Sequence, residues 1–216
     1  MLHLEPIIEG IRSELEAKSA ARDAALHRSR ELIRHCANAI RAAHRGEVAD
    51  ARSVLGLAGE VARQMAADLA SYPDLYHAGY TQDALKEYVE ARLVFAFETG
   101  SEVPGVADLG VEGPAFLNGL AEAASELRRH CLDLMRENRL ERAGEILDIM
   151  DEAYTQLMSL DFPDAITGGL RRQTDMLRGV VERTRGDLTT AIRQEMMREA
   201  LREFESRLGA DRDPAA

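Results

Sequence analysis

The chain has 216 residues, 45% hydrophobic and 30% charged, which suits a water-soluble globular protein with a core of its own. A net charge of −11 argues against a protein that coats nucleic acid with its outer surface, and the absence of Trp, with only 5% aromatics, leaves few platforms for stacking bases. No apolar run approaches the ~18 residues of a membrane span, and Met1-Leu2-His3-Leu4-Glu5-Pro6 lacks the order of a secretory signal, so the expected location is the cytoplasm with no membrane partner.

The spacing of Ile8, Ile11, Leu15, Leu26, Ile33, Cys36 and Ile40 predicts a first helix from about Glu5 to Ala43, closed by Gly46. A second is expected from about Val48 to Ala70, where Ser71-Tyr72-Pro73-Asp74 stops it. The third runs from Gln82 to Thr99, with Thr81 as its N-cap and Gly100 as its end. Residues Ser101 to Gly113, with two prolines or glycines at each end, read as a loop, and Pro114 suits the first turn of a fourth helix. Its stripe is Leu117, Leu120, Ala124, Leu127, Cys131 and Leu134. A fifth helix is expected over about Leu140 to Leu160, and a last one from Leu170 towards Leu208, with a break near Gly186. Gly209 to Ala216 reads as a frayed polar tail. These elements predict an all-α protein: one antiparallel bundle of six to seven helices spanning residues 1–208.

The two cysteines, Cys36 and Cys131, fall on apolar stripes and are read as buried small hydrophobes, too few for a zinc site or a disulfide framework. Asp83, Glu87 and Glu90 lie within about 60° of one another on the third helix, and Glu122 and Glu126 form an i, i+4 pair on the fourth. Spacing alone also fits a solvated polar face. Carboxylates from two rigid helices are, however, what a hard divalent cation needs for phosphodiester chemistry. Val94 and Phe97 continue the sector of Glu87 and Glu90, which suits a cavity or an interface better than open water.

Leu85-Lys86-Glu87-Tyr88-Val89-Glu90-Ala91 resembles the Gln-Glu-Tyr-Val-Glu-Ala segment of the catalytic, factor X branch of the translin family. Phe116 to Cys131 is similar to the family's Tyr-Leu-Ser-Gly-Val stretch and the Glu-Leu that follows it, with Asn118-Gly119 for Ser-Gly and Glu122 where the catalytic branch has Asp. Leu170 to Glu182 looks like the family's closing helix. The resemblance implies a translin-like fold and an octameric homo-oligomer that encloses nucleic acid. It also implies Mg²⁺-dependent endoribonuclease activity, with Mn²⁺ as the alternative ion. The substrate it implies is single-stranded RNA, with single-stranded DNA or short duplex RNA as alternatives. It assigns Glu87, Glu90 and Glu122 as catalytic metal ligands and Glu126 as a supporting ligand or hydrogen-bond acceptor. A non-catalytic translin-like binder is the second reading, and a bundle that binds metal or protein without RNA the third.

Arg28, Arg30, Arg34 and Arg41 recur along the first helix off its apolar stripe and are candidate phosphate contacts, as is Arg129. Arg128, Arg171 and Arg172 are weaker candidates for the same role. His35 and His130 each follow a Glu by four residues and are read as surface or interface side chains rather than metal ligands.

Overall fold

The computed structural model describes residues 4–210, and every regular element among them is helical. In chain order these are α1 (Leu4–His44), α2 (Val48–Asp68), α3 (Pro73–Tyr76), α4 (Gly79–Thr99), α5 (Val106–Leu109), α6 (Gly113–Arg136), α7 (Leu140–Met158), α8 (Asp164–Thr167) and α9 (Leu170–Ala210). Six are long; α3, α5 and α8 are single turns within connections. None is long and apolar enough to cross a membrane.

Pairs of contacts that advance together along two helices fix their directions. Lys86 meets Glu122 and Glu98 lies by His130, so α4 and α6 run parallel. Gln173 meets Glu122 and Arg128 meets Asp187, so α9 runs the same way as α6. Cys36 lies near Glu87 and Glu90, and His44 meets Glu98, which aligns α1 with them. Short turns send α2 and α7 back against their neighbours, with Arg28 on Asp68 and Cys131 on the Ala143 carbonyl marking the reversed registers. Residues 100–112 therefore carry the chain back along the bundle, and His77 reaches Glu112 where that return arrives beside the start of α4. Gly100 begins it in the left-handed region, φ 66°, which a side chain would oppose.

The core has two parts. Leu32, Cys36, Leu55, Met65, Leu85, Val89 and Leu93 pack α1, α2 and α4 together. Leu127, Cys131, Ile146, Met150, Leu177 and Val181 do the same for α6, α7 and α9. Phe97 and Leu120 touch both, so α4 and α6 form the seam. Val94 is fully buried there, which accounts for its place in the acidic sector: α4 is covered on nearly every side. At the seam Gly119 of α6 presses on α4. A Cβ there would stand 2.7 Å from the Val89 side chain and 2.8 Å from the Lys86 carbonyl oxygen.

Several boundaries differ from the expected ones. Thr81 is not the cap of α4; the helix starts earlier, after Ala78, and the buried Thr81 hydroxyl donates to the Leu75 carbonyl at 2.9 Å, tying α3 to α4. The loop after α4 contains α5, with Leu109 and Val111 buried against the first core. Helix α9 passes through Gly186 unbroken, since one glycine costs a helix only about 1 kcal/mol. It takes in Gly209 and Ala210, and residues 211–216 of the expected tail lie outside the described residues. Ile8, Ile11 and Leu15 are exposed, because Ala25 is the first residue of α1 to be buried and the turns before it project past the bundle. At the opposite end Met196, Met197, Leu201, Phe204 and Leu208 of α9 project in the same way.

Because the clash at Gly119 includes backbone, it cannot be relieved by a rotamer change. Gly119→Ala is expected to lower unfolding free energy by about 1–3 kcal/mol, measured by urea denaturation; an unchanged midpoint would show that α4 and α6 have slack at this contact.

Candidate metal centre

The parallel arrangement places the two acidic ladders side by side. Glu87 and Glu90 are three residues apart on α4 and share a face, while Glu122 stands one turn beyond Gly119, where the helices touch. One carboxylate oxygen from each of Glu87, Glu90 and Glu122 lies within 4.8 Å of the others, and all three side chains are half-buried. Glu126, a turn further along α6, lines the same cavity of about 580 Å³ with Glu90, Glu122, Arg172 and Gln173. Asp83 is exposed and outside the group.

Glu122 is held from two sides. Lys86 Nζ at 2.7 Å and Gln173 Nε2 at 2.8 Å both donate to its Oε1. The longer side chain at this position is thereby pinned, and its carboxylate reaches the other two. Lys86 keeps its proton more tightly than usual: burial opposes the charge, but the bond to Glu122 and the charges of Glu122, Glu87 and Asp83 together outweigh it. Glu126 Oε1 meets His44 Nε2 at 2.8 Å, and His44 Nδ1 stands 2.7 Å from Glu98 Oε1. The second contact is close but poorly aligned for a hydrogen bond, and both oxygens of the buried Glu98 lack a partner that is properly aligned. With a carboxylate at each nitrogen, His44 is pushed up to about 9 although its burial acts the other way.

Glu87 and Glu90 have no such cation among the described residues. Burial raises Glu87, helped by the charge of Glu122. Burial pushes Glu90 up to about 8, with the charges of Glu87, Glu122 and Glu126 adding to it. The charge of Lys86 offsets only part of this, and carboxylates crowded together without a bonded cation of their own fit a hard divalent cation. Cys36 packs behind the group; burial and the charges of Glu87 and Glu90 raise its thiol, so it stays protonated and is no ligand. Cys131, buried beside the Ala143 carbonyl, is pushed up to about 11 and is equally inert.

The arginines singled out from the sequence sit elsewhere. Arg28 is bound to Asp68 at 2.8 Å, Arg41 to Asn38 at 2.6 Å, and Arg30, Arg34 and Arg129 are exposed; none of the five lines the cavity. Arg128 is occupied by Thr184 and Asp187 across the α6–α9 contact. Arg172, a weaker candidate by sequence, is the arginine on the cavity wall. His35 lies 3.9 Å from Glu31, and His130 is half-buried 4.0 Å from Glu98. Gln173, His44 and Glu98 are site residues that sequence reasoning missed. Only Glu98 left a signal: eleven residues after Glu87, it returns to within about 20° of the same helical face.

No family model matches the chain. AfC3PO, solved alone and in complex with duplex RNA, is 35% identical to it, with a TM-score of 0.82 over 88% of this chain and 98% of that one. NeC3PO in its apo form shares the fold at 19% identity, with a TM-score of 0.79 over 86% of this chain. An uncharacterized protein of Methanocaldococcus jannaschii is 30% identical over 190 residues, 87% of this chain and 84% of that protein.

Glu90 and His44 both bind protons more tightly in the folded, metal-free protein than their ordinary values of 4.5 and 6.5. Their stabilising contributions are complete below those values and are lost as pH rises through about 8 and about 9, respectively. Calorimetry in chelator should therefore show Tm falling from pH 6 to 9, and Glu90→Gln should flatten the part below pH 8. A slope that Glu90→Gln leaves untouched would contradict the crowding described for this carboxylate.

Proposed function

Since the chain belongs to the translin family, we propose that it binds RNA and hydrolyses phosphodiester bonds at the Glu87–Glu90–Glu122 centre. The cofactor is Mg²⁺, which Mn²⁺ can replace. The observation that carries this reading is the meeting of three half-buried carboxylates from two helices, two of them without a cation of their own. That pair, Glu87 and Glu90, supports a reading nearer the catalytic factor X branch. The RNA complex of AfC3PO supports RNA as the ligand, and single-stranded RNA is the proposed substrate.

Glu87, Glu90 and Glu122 would hold the ion, with Glu126 as a supporting group at the rim. When bound, the ion supplies Lewis-acid polarisation of a phosphoryl oxygen and activation of water. Arg172 on the cavity wall places a guanidinium where a phosphate would enter. Lys86, the cation nearest Glu122, adds positive charge beside the reacting phosphate. Arg30, Arg34, Arg41 and Arg129, on exposed surfaces, guide the rest of the strand.

A non-catalytic RNA binder is the second reading, and one observation favours it: Lys86 occupies Glu122 at a position where the resembling segment carries Gln, so a resident ammonium competes for the third carboxylate. End-labelled single-stranded and duplex RNA, incubated with Mg²⁺ or with chelator, separates the two. Cleavage should require Mg²⁺ and fall at least about 100-fold in Glu87→Ala/Glu90→Ala, while salt-sensitive RNA binding persists. Binding without cleavage under either ion selects the binder.

The overhanging apolar ends of α1 and α9 support self-assembly, as an octamer on the family pattern. Leu201→Glu with Phe204→Glu should lower the mass measured by light scattering, with helical content retained; an unaltered mass would mean that α9 is not at a subunit contact.

A further inference from the structure

Glu126 is more exposed than Glu122, with 35% of its side chain accessible against 22%, and a Glu so placed samples several rotamers unless something fixes it. What fixes it comes from another helix. His44, the last residue of α1, has a side chain only 3% exposed, and its Nε2 meets Glu126 Oε1 at 2.8 Å. Behind it stands Glu98 of α4, 4% exposed, 2.7 Å from His44 Nδ1. Three helices thus contribute one residue each to a line that runs from a second cavity, of about 520 Å³ and lined by Glu98, His44 and His130, to the rim of the acidic one.

This line is an expensive way merely to join helices. Its inner carboxylate is buried without a well-aligned hydrogen bond to the protein, and its nearest charged neighbour is the His44 ring at 2.7 Å. His130 stands 4.0 Å from the same Glu98 oxygen, too far to satisfy it. The bond from His44 engages one oxygen of Glu126 and holds the carboxylate on the cavity wall that Glu90 and Glu122 also line, outside their three-oxygen cluster, leaving its other oxygen for a ligand.

We propose that His44, oriented by Glu98, is a positioning residue that holds Glu126 in place as an additional ligand for the divalent cation of the Glu87–Glu90–Glu122 centre. This rests on the metal-centre reading above. Partners of this kind, behind a ligand, tune metal affinity about 10- to 100-fold. His44 acts through Glu126, so the two losses must not add.

The test is Mn²⁺ binding to the full chain by electron paramagnetic resonance, which needs no turnover. Glu126→Gln and His44→Ala should each raise the Kd about tenfold, and the double variant should be no weaker than the worse single one. His44→Gln, whose amide still reaches Glu126, should recover part of the loss, and Glu98→Gln should give a smaller rise in the same direction. If His44→Ala does not fold, as judged by circular dichroism, the decision rests on Glu98→Gln in the wild-type and Glu126→Gln backgrounds: weakening in the first alone supports the proposal. A Kd unmoved by the His44 and Glu98 substitutions, in a protein whose Mn²⁺ binding Glu87→Ala/Glu90→Ala abolishes, overturns this inference and leaves the metal centre standing. Fully additive losses overturn it as well, since His44 would then act independently of Glu126. Wild-type protein that binds no Mn²⁺ removes both readings together.

Discussion

The contact of Gly119 with Val89 and the Lys86 carbonyl sets the distance on which the acidic site depends. A hydrogen in place of a Cβ lets α6 settle on α4 until backbone meets side chain. Glu122 follows one turn later, while Glu87 and Glu90 flank Val89, so a single close approach determines how near the ladders come. The neighbouring Asn118 extends the effect. Its amide donates to the carbonyls of Pro114 and Thr167, at 2.8 and 2.7 Å, and so fastens α8 against α6. That brings the start of α9 alongside, with Gln173 and Arg172 facing the cavity.

Crowding carboxylates in this way is costly, and the molecule distributes the compensation unevenly. The acids of α6 each have a cation, Lys86 on Glu122 and His44 on Glu126, supplied by two different helices. Glu87 and Glu90 of α4 have no bonded cation among the described residues, and burial with the neighbouring carboxylates raises the proton affinity of Glu90. The crowded charge thus sits where oxygens of Glu87, Glu90 and Glu122 converge, and only the last of the three has an ion-pair partner among the described residues. Among the described residues most arginines are engaged or exposed elsewhere, and Arg172 is the one that lines the cavity with the acids.

The parallel course of α1, α4, α6 and α9 has a second result. Helices of 41 residues, about 60 Å long, cannot be covered along their whole length by partners of 19 to 24 residues, so α1 overhangs at its beginning and α9 at its end. Both overhangs carry apolar side chains, at opposite ends of the molecule. The two apolar extensions are thus consequences of one arrangement of unequal helices.

Periodicity over neighbouring residues was enough to read much of this. The long helices, the burial of Cys36 and Cys131, and the acidic faces bearing Glu87, Glu90, Glu122 and Glu126 follow from which side chains recur every three or four positions, a property of contiguous sequence. Thr81 misled because a hydroxyl before a helix looks like a cap, whereas its partner was the Leu75 carbonyl of a turn too short to show a period. Gly186 misled because packing along α9 outweighs one residue's propensity. The parallel pairing of α4 with α6, the clasp of Glu122 by Lys86 and Gln173, and the line from Glu98 through His44 to Glu126 left little local trace. His44 and Glu126 are 82 residues apart. Nothing in either segment specifies the other; their meeting depends on a return connection and a missing Cβ, and only the assembled bundle brings those together.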